Sequence, residues 1–178
     1  MRILFAGSEM APFAKTGGLA DVLGALPGAL AELGHEVVCC LPYYRVVRAS
    51  ATPQATGIRV VVPLGAEQIA GDVFETKLGP RVRVLFIKQD EFFDRAELYH
   101  TNGRDFPDNA RRFIFFSKAV VEIASRPEFR PDVVHCHDWQ TGLVPALLRG
   151  RLKSVFTIHN LAYQGIFPAE VFALTNLS

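Results

Sequence analysis

The sequence predicts an α/β fold with a Rossmann-like, doubly wound and mostly parallel sheet. Strands are predicted over residues 2–7, 37–41, 132–138 and 154–159, and the first is continuous and apolar, as expected of a strand that is covered on both faces. Helical patterns separate these runs, and this alternation of strands and helices is typical of parallel sheets with right-handed crossovers. Residues 1–178 are therefore expected to form one domain.

The first helix is predicted over the residues that follow Gly18, because its apolar side chains recur three and four positions apart. Pro27 falls inside this helix and is expected to kink or divide it. Gly34 is expected to cap the C-terminus of the helix, since glycine readily takes the left-handed conformation found at helix ends. The strand over 37–41 then completes a β–α–β unit.

Residues 58–88 are predicted to be a strand excursion attached to the parallel core, after a surface loop over 43–57. Three short strand-like runs make up this excursion: 58–64, 73–78 and 82–87. Gly79 and Pro80 separate the last two runs and predict a β-hairpin there.

A long helix is predicted from Pro107 to about Ser125, and it is expected to be largely buried because it is apolar around much of its circumference. Its solvated face is expected to consist of four polar side chains: Arg111, Arg112, Lys118 and Glu122. A further helix is predicted over 139–149, between the last two strands.

Charge and composition argue against several classes of protein. The 178 residues carry 19 basic and 18 acidic side chains, without the basic excess of nucleic-acid-binding or polybasic membrane proteins. No apolar run approaches the ~18 residues of a membrane helix, and no signal peptide is expected before the first strand. The odd number of cysteines, Cys39, Cys40 and Cys136, favours a reducing cytoplasm.

The segment from Lys15 to Val22 has the features of an anion site. Gly17 and Gly18 let backbone N–H groups approach a ligand, the helix N-terminus favours negative charge, and Lys15 adds a full positive charge. Diphosphate fits this chemistry best. The alternative is that the glycines only allow a tight turn while the lysine is solvated.

Polar side chains follow three of the predicted parallel strands, where ligands bind in doubly wound sheets. These side chains are Ser8, Glu9, His137, Asp138, Trp139, His159 and Asn160. Because apolar strands that each end in polar residues at one sheet edge are hard to explain by packing, we expect a ligand site there. Trp139 is either a core residue or a platform for a sugar face. Glu9 and Asp21 alone are weak signals, since acids near a helix start also serve its dipole.

A metal site is the competing interpretation, because a His-x-His pair on a strand places both imidazoles on one face. A metal-dependent hydrolase would use His135, His137 and His159. We expect instead that His135, inside an apolar strand, is a satisfied core histidine and that no metal is bound, since no second acidic cluster completes the site.

Eight segments together carry a resemblance to a known family: Ser8–Pro12, Lys15–Val22, Gly24–Pro27, Asp105–Asn109, Arg112–Phe113, Pro131–His135, His137–Trp139 and Thr157–Gly165. With these motifs the chain resembles the N-terminal domain of bacterial glycogen synthases and plant starch synthases, which are two-domain glycosyltransferases of the GT-B type. The motifs follow the family order through nearly the whole chain. Only 45–98 is variable.

The resemblance implies transfer of glucose from ADP-glucose to the non-reducing 4-hydroxyl of an α-1,4-glucan, with retention and without a metal or other cofactor. Among the implied catalytic residues, Lys15 contacts the donor phosphates, with Gly17 and Gly18 offering N–H groups. His159, also implied to be catalytic, and Asn160 match the residues beside the transferred glucose.

The remaining roles also follow from the resemblance. Asp138 matches the catalytic acid at the reacting centre, with Trp139 as its neighbour. Glu9, Asp21 and Tyr99 match positions that line the donor–acceptor pocket.

In the family, a second domain holds the nucleotide, and nothing after residue 165 is expected to build one. The chain is therefore expected to be a fragment with negligible activity alone. The alternatives are a non-catalytic glucan-binding module, the metal-dependent hydrolase, and a glycosyltransferase that uses another nucleotide sugar.

Overall fold

The computed structural model describes residues 1–178. Its first half contains β1 (Arg2–Ala6), α1 (Gly18–Glu32), β2 (Glu36–Pro42), α2 (Val47–Ser50), β3 (Gln54–Leu64), β4 (Glu67–Leu78), β5 (Val82–Lys88) and α3 (Asp90–Phe93). Its second half contains β6 (His100–Thr101), β7 (Arg104–Asp105), α4 (Asn109–Ser125), β8 (Val133–His137), a 3₁₀ turn (Trp139–Thr141), α5 (Leu143–Leu148), β9 (Lys153–Thr157) and a 3₁₀ segment (Ala169–Thr175). No helix is long and apolar enough to span a bilayer.

One seven-stranded sheet organises the fold, in the order β3-β4-β5-β2-β1-β8-β9. The five strands β5, β2, β1, β8 and β9 pair in parallel, whereas β3 and β4 are antiparallel additions at the β5 edge. The predicted parallel core with a strand excursion is therefore confirmed. From β1 the chain moves outward to β2 and β5 and then returns to β8 on the other side of β1. The strand order thus reverses between β1 and β8, and such a switch point opens a crevice at the carboxyl edge of the sheet.

The two edges of the sheet differ. The strands at the β3–β4 edge are longer than the apolar pattern indicates, and β9, at the other edge, is exposed. β3 begins at Gln54 and β4 at Glu67, because the alternating antiparallel excursion admits polar residues on its solvent side. β9 pairs only with β8 and exposes Val155 and Phe156, because it is the edge strand of the sheet.

Helix α4 is largely buried, as predicted, but two of its four expected solvated residues lie inside. The side chain of Arg112 is fully buried and that of Lys118 is 7% exposed. The Arg112 guanidinium donates to the carbonyls of Phe92 and Leu98, and the Lys118 ammonium donates to that of Pro63 at 2.5 Å. The neighbouring β3, α3 and the segment after α3 supply carbonyl acceptors that replace water, so these cations can be buried.

Helix α1 and residues 43–57, after β2, also differ from the prediction in part. Helix α1 runs from Gly18 to Glu32 without a break although it contains Pro27, whose ring is buried and thereby helps to offset the lost main-chain hydrogen bond. Gly34 follows the helix with φ of +88°, as expected of a terminating glycine. The predicted surface loop over 43–57 instead contains α2 and the buried ring of Tyr44.

The predicted helix over 139–149 is divided into the 3₁₀ turn and α5. The division falls at Gly142, whose own backbone N–H closes the turn on the carbonyl of Trp139.

We predict that Gly71→Ala lowers the free energy of unfolding by roughly 1–3 kcal/mol. A Cβ at this buried position would lie 2.8 Å from the Lys88 carbonyl oxygen and 2.9 Å from Phe115 Cζ. Urea unfolding at pH 7 measures the change. The matched control is Gly28→Ala inside α1, where a Cβ meets nothing within 4 Å and should raise stability by about 0.5–1 kcal/mol. Equal effects of the two substitutions would contradict the close packing of β4.

Candidate functional site

The candidate site lies at the switch point between β1 and β8. The chain leaves β1 through Gly7, where a Cβ would come within 2.3 Å of Leu23 Cδ2, so glycine allows α1 to pack tightly behind the loop. Ser8 and Glu9 follow it, and Asp138 follows the last residue of β8. The expectation that polar residues gather at this edge is confirmed for Ser8 and Glu9, which a third residue, Tyr99, joins, and for the trio His137, Asp138 and His159.

The carboxylate of Glu9 organises the loop before α1. Its Oε2 accepts hydrogen bonds from the backbone N–H groups of Thr16 at 2.6 Å and Gly17 at 3.1 Å. Its Oε1 accepts from the Thr16 hydroxyl at 2.6 Å and lies 2.8 Å from the Tyr99 hydroxyl. Glu9 is only 4% exposed, so its charge is stabilised by these donors and by the N-terminus of α1.

This contact corrects one expectation about the glycine pair. The Gly17 N–H is donated to Glu9 and is therefore not free for an external anion. The Gly18 N–H, at the first position of α1, has no acceptor within the helix. A Cβ at either glycine would meet nothing within 4 Å, so the outer side of the loop is open.

Lys15 stands at the mouth of this loop and pairs with Asp21 on the first turn of α1. The Lys15 ammonium lies 2.5 Å from Asp21 Oδ1, and the two side chains are 52% and 60% exposed. An exposed ion pair of this kind contributes little to stability. The lysine can therefore exchange its carboxylate partner for an entering anion at small cost.

Tyr99 comes from a distant part of the chain and closes the site around Glu9. Its hydroxyl lies 2.7 Å from Ser8 Oγ as well as near Glu9, and its carbonyl accepts a hydrogen bond from the Asn109 side chain. Burial, reinforced by the Glu9 charge, raises the pKa of the phenol well above its ordinary value. Tyr99 is therefore a neutral donor at all working pH values.

Asp138 lies at the other side of the crevice in a strained conformation. Its φ of +55° and ψ of −179° form a combination that residues other than glycine rarely adopt. The backbone N–H of His159 donates to Asp138 Oδ1 at 2.7 Å, and the Asp138 N–H donates to the carbonyl of Thr157. These bonds join the carboxyl ends of β8 and β9 and fix the direction of the carboxylate.

Three histidines lie side by side next to Asp138. His137 Nδ1 is 2.8 Å from His159 Nε2, and His135 Nε2 is 2.7 Å from the Thr157 hydroxyl. Burial, and then the charges that His135 and His159 would carry, lower the pKa of His137 to about 3. Burial also lowers the pKa of His135. One ring nitrogen of each histidine thus faces a hydrogen-bond partner. No three His, Cys, Asp or Glu side chains are placed to hold a metal ion.

Trp139 and Asn160 are placed less directly than the sequence suggests. The Trp139 ring packs edge-on against Phe113 at 5.1 Å and Phe167 at 5.4 Å, beside an apolar cavity of about 540 Å³. Trp139 is thus half-buried: it packs against the core on one side and lines the cavity on the other. Asn160 is exposed, and its side-chain oxygen accepts from the backbone N–H of Ala162, so it stabilises the turn after β9.

Sequence reasoning missed two residues that build the site. Thr16 gives both its backbone N–H and its hydroxyl to Glu9, although in the sequence it stands unremarked between Lys15 and the glycines. Thr141 binds the backbone of His137 through one hydroxyl, at 2.7 and 2.8 Å. Its position four residues after His137, within a turn, was the only signal available.

Comparison with known proteins identifies the family and agrees with the fold. The family model of the starch synthase catalytic domain matches residues 2–178. The glycogen synthase 2 of Geobacter sulfurreducens is 46% identical over 99% of this chain and 38% of its own length. The glycogen synthase of Opitutus terrae is 44% identical over 99% of this chain and 39% of its own length.

A solved structure is also similar. The catalytic domain of starch synthase IV from Arabidopsis thaliana, bound to ADP and acarbose, has a TM-score of 0.87 and 30% identity, covering 99% of this chain and 37% of that one. The chain belongs to the family of starch synthase catalytic domains, which are glycosyltransferases. It spans less than two fifths of the length of the relatives it matches.

We predict that Glu9→Gln destabilises the protein by about 1–3 kcal/mol, because the amide NH₂ would face backbone donors that now bind a carboxylate oxygen. Urea unfolding at pH 7 gives the change. The control is Glu36→Gln, at an exposed position, which should stay within ~0.5 kcal/mol of the unsubstituted chain. A Glu9→Gln protein as stable as this control would show that the carboxylate does not organise the loop.

The buried imidazole of His137 predicts a loss of stability in acid. Its pKa is about 3 when folded and about 6.5 when unfolded, so between these values only the unfolded chain binds the proton. The stabilisation is complete above pH ~6.5 and is lost as the pH falls toward 3.

Between pH 7 and 5, His137 should account for a loss of up to roughly 2 kcal/mol, which His137→Phe removes. Urea unfolding at both pH values measures the slope. The control His100→Gln changes an exposed histidine, and its stability should depend on pH as that of the unsubstituted chain does. If the His137→Phe protein loses as much stability between pH 7 and 5 as the unsubstituted chain does, the buried neutral ring is not the cause of the loss in acid.

Proposed function

We propose that this chain is the N-terminal domain, residues 1–178, of a retaining glucosyltransferase that moves glucose from ADP-glucose to the non-reducing end of an α-1,4-glucan. The observation that carries the proposal is the crevice at the β1–β8 switch point. It sets a lysine and an open helix N-terminus on one side and an oriented carboxylate with a histidine on the other. Membership of the starch synthase family and a similar structure that holds ADP and acarbose support it.

The chemistry of glucosyl transfer explains why such a crevice is needed. Cleavage of the bond between sugar and phosphate leaves negative charge on the departing diphosphate and positive charge on the sugar. Lys15, released from Asp21, and the free Gly18 N–H would stabilise the diphosphate. Glu9 would act indirectly, since its hydrogen bonds shape the loop that presents both groups.

The opposite side of the crevice would hold the sugar. Asp138 is the acid that we place at the reacting centre, where its fixed carboxylate would orient a sugar hydroxyl or balance the positive charge on the ring. His159 and Asn160 would lie beside the transferred glucose, with Tyr99 and Asp21 at the margin of the pocket. In this proposal Trp139 supports the pocket wall from the aromatic core.

The proposal includes a second domain that holds the nucleotide, so residues 1–178 alone are expected to transfer glucose negligibly. It needs no metal and no other cofactor, because the lysine and backbone N–H groups supply the positive potential. The three cysteines are free and buried, which suits the reducing cytoplasm that we propose as its compartment. Neither nucleic acid nor a membrane is among the proposed partners.

A graft tests the proposal. Residues 1–178 replace the corresponding part of the Geobacter sulfurreducens glycogen synthase 2, and incorporation of labelled glucose from ADP-glucose into glycogen is measured. We expect the graft to be active and the 178-residue chain alone to be inactive. In the graft, Lys15→Ala and Asp138→Ala should each lower kcat on the order of 100-fold, because each removes a charge that acts in the transition state.

The matched control is Lys77→Ala, which removes an exposed lysine on β4 and should leave the rate unchanged. Glucan binding by the 178-residue chain, with an inactive graft that is folded by circular dichroism, would favour a binding module and overturn the transferase proposal.

A further inference from the structure

The proposed mechanism gives no role to His137, yet this residue is the most deeply buried of the three histidines. Its side chain is fully buried, and its ring stacks on that of Phe5 with an interplanar angle of 16°. The ring of His159 lies nearly parallel to it, at 21° and 5.1 Å between centroids. The Thr141 hydroxyl fixes the His137 backbone, because it accepts a hydrogen bond from the His137 N–H and donates one to the His137 carbonyl.

His159 is therefore held at two points. Its backbone N–H binds Asp138 Oδ1 at 2.7 Å, and its ring Nε2 lies 2.8 Å from His137 Nδ1. The first bond sets the position of the residue. The second sets the rotation of the imidazole, and the proton in it decides which tautomer the imidazole adopts.

The location of that proton follows from the surroundings of His137. Burial keeps the ring neutral, so it carries one N–H. Its Nε2 atom is buried and has no hydrogen-bond partner. A buried N–H without an acceptor is costly and rare. A bare ring nitrogen without a donor costs less. The proton is therefore expected on Nδ1, where His159 Nε2 can accept it.

We propose that His137 is a positioning residue that holds His159 in its Nδ1–H tautomer. Because His159 Nε2 accepts the bond from His137, the single proton of a neutral His159 must be on Nδ1. Nδ1 has no partner inside the chain and belongs to a half-buried ring at the crevice, so it is a donor available to a ligand. That this ligand is a hydroxyl of the donor sugar rests on the proposed function.

Nuclear magnetic resonance on the ¹⁵N-histidine-labelled 178-residue chain tests the tautomer directly. Long-range ¹H–¹⁵N correlations at pH 8 distinguish a protonated ring nitrogen from a bare one. In the unsubstituted chain we expect Nδ1 of His159 to be protonated and Nε2 to be bare and hydrogen-bonded.

Three substitutions sharpen the test. His137→Phe keeps the ring and its stacking but removes the donor, so His159 should lose its single tautomer and show proton on Nε2. His137→Asn retains an amide nitrogen on the carbon that carried Nδ1 and should restore the Nδ1–H form. His135→Phe removes the neighbouring ring, which hydrogen-bonds Thr157 rather than His159, and should change nothing.

The proposal is overturned if His159 of the unsubstituted chain is protonated on Nε2, or if His137→Phe leaves the Nδ1–H tautomer intact. Should His137→Phe fail to fold, the unsubstituted spectrum and His137→Asn decide the question. No donor or glucan enters this measurement. A graft that transfers glucose while His159 is Nε2-protonated would thus refute the positioning role alone, and an inactive graft with the expected tautomer would refute the transferase proposal alone.

Discussion

The buried carboxylate of Glu9 is the interaction on which the site depends. A charge at 4% exposure is tolerable only if donors replace its water, and the chain supplies them from the loop after β1 and from Tyr99 about ninety residues later. Those bonds fold the segment from Thr16 to Gly18 into one shape and leave its outer surface open. The buried carboxylate of Glu9 therefore sets the shape of the anion site.

A second constraint comes from buried cations, which tie the loops to the helix beneath them. Arg112 binds two carbonyls from the segment that leads to Tyr99, and Lys118 binds the carbonyls of Pro63 and Leu174 together with the Asn176 side chain. Each such cation loses hydration and is stable only with every carbonyl in place. The position of Tyr99 beside Glu9 thus depends in part on an arginine that contacts neither residue.

The opposite side of the crevice relies on neutral groups and on backbone strain. Asp138 adopts a positive φ with an extended ψ, a combination rare outside glycine, and the bond from the His159 backbone holds its carboxylate across the gap between β8 and β9. Burial keeps His137 uncharged, so the imidazole beside the acid does not neutralise it. The crevice therefore presents positive potential on the loop side and an unneutralised carboxylate on the other, an arrangement suited to a reaction that separates charge.

The sequence by itself determined the parallel core, the strand excursion and the edge at which polar residues gather, because apolar periodicity and strand ends are local properties. It could not assign partners to polar atoms, which depend on contacts between distant segments. The burial of Arg112 and Lys118, the capture of the Gly17 N–H by Glu9, and the packing of Trp139 in the aromatic core all arise in this way. Tertiary structure decided them, since a buried polar group is stable only where the fold brings it a partner.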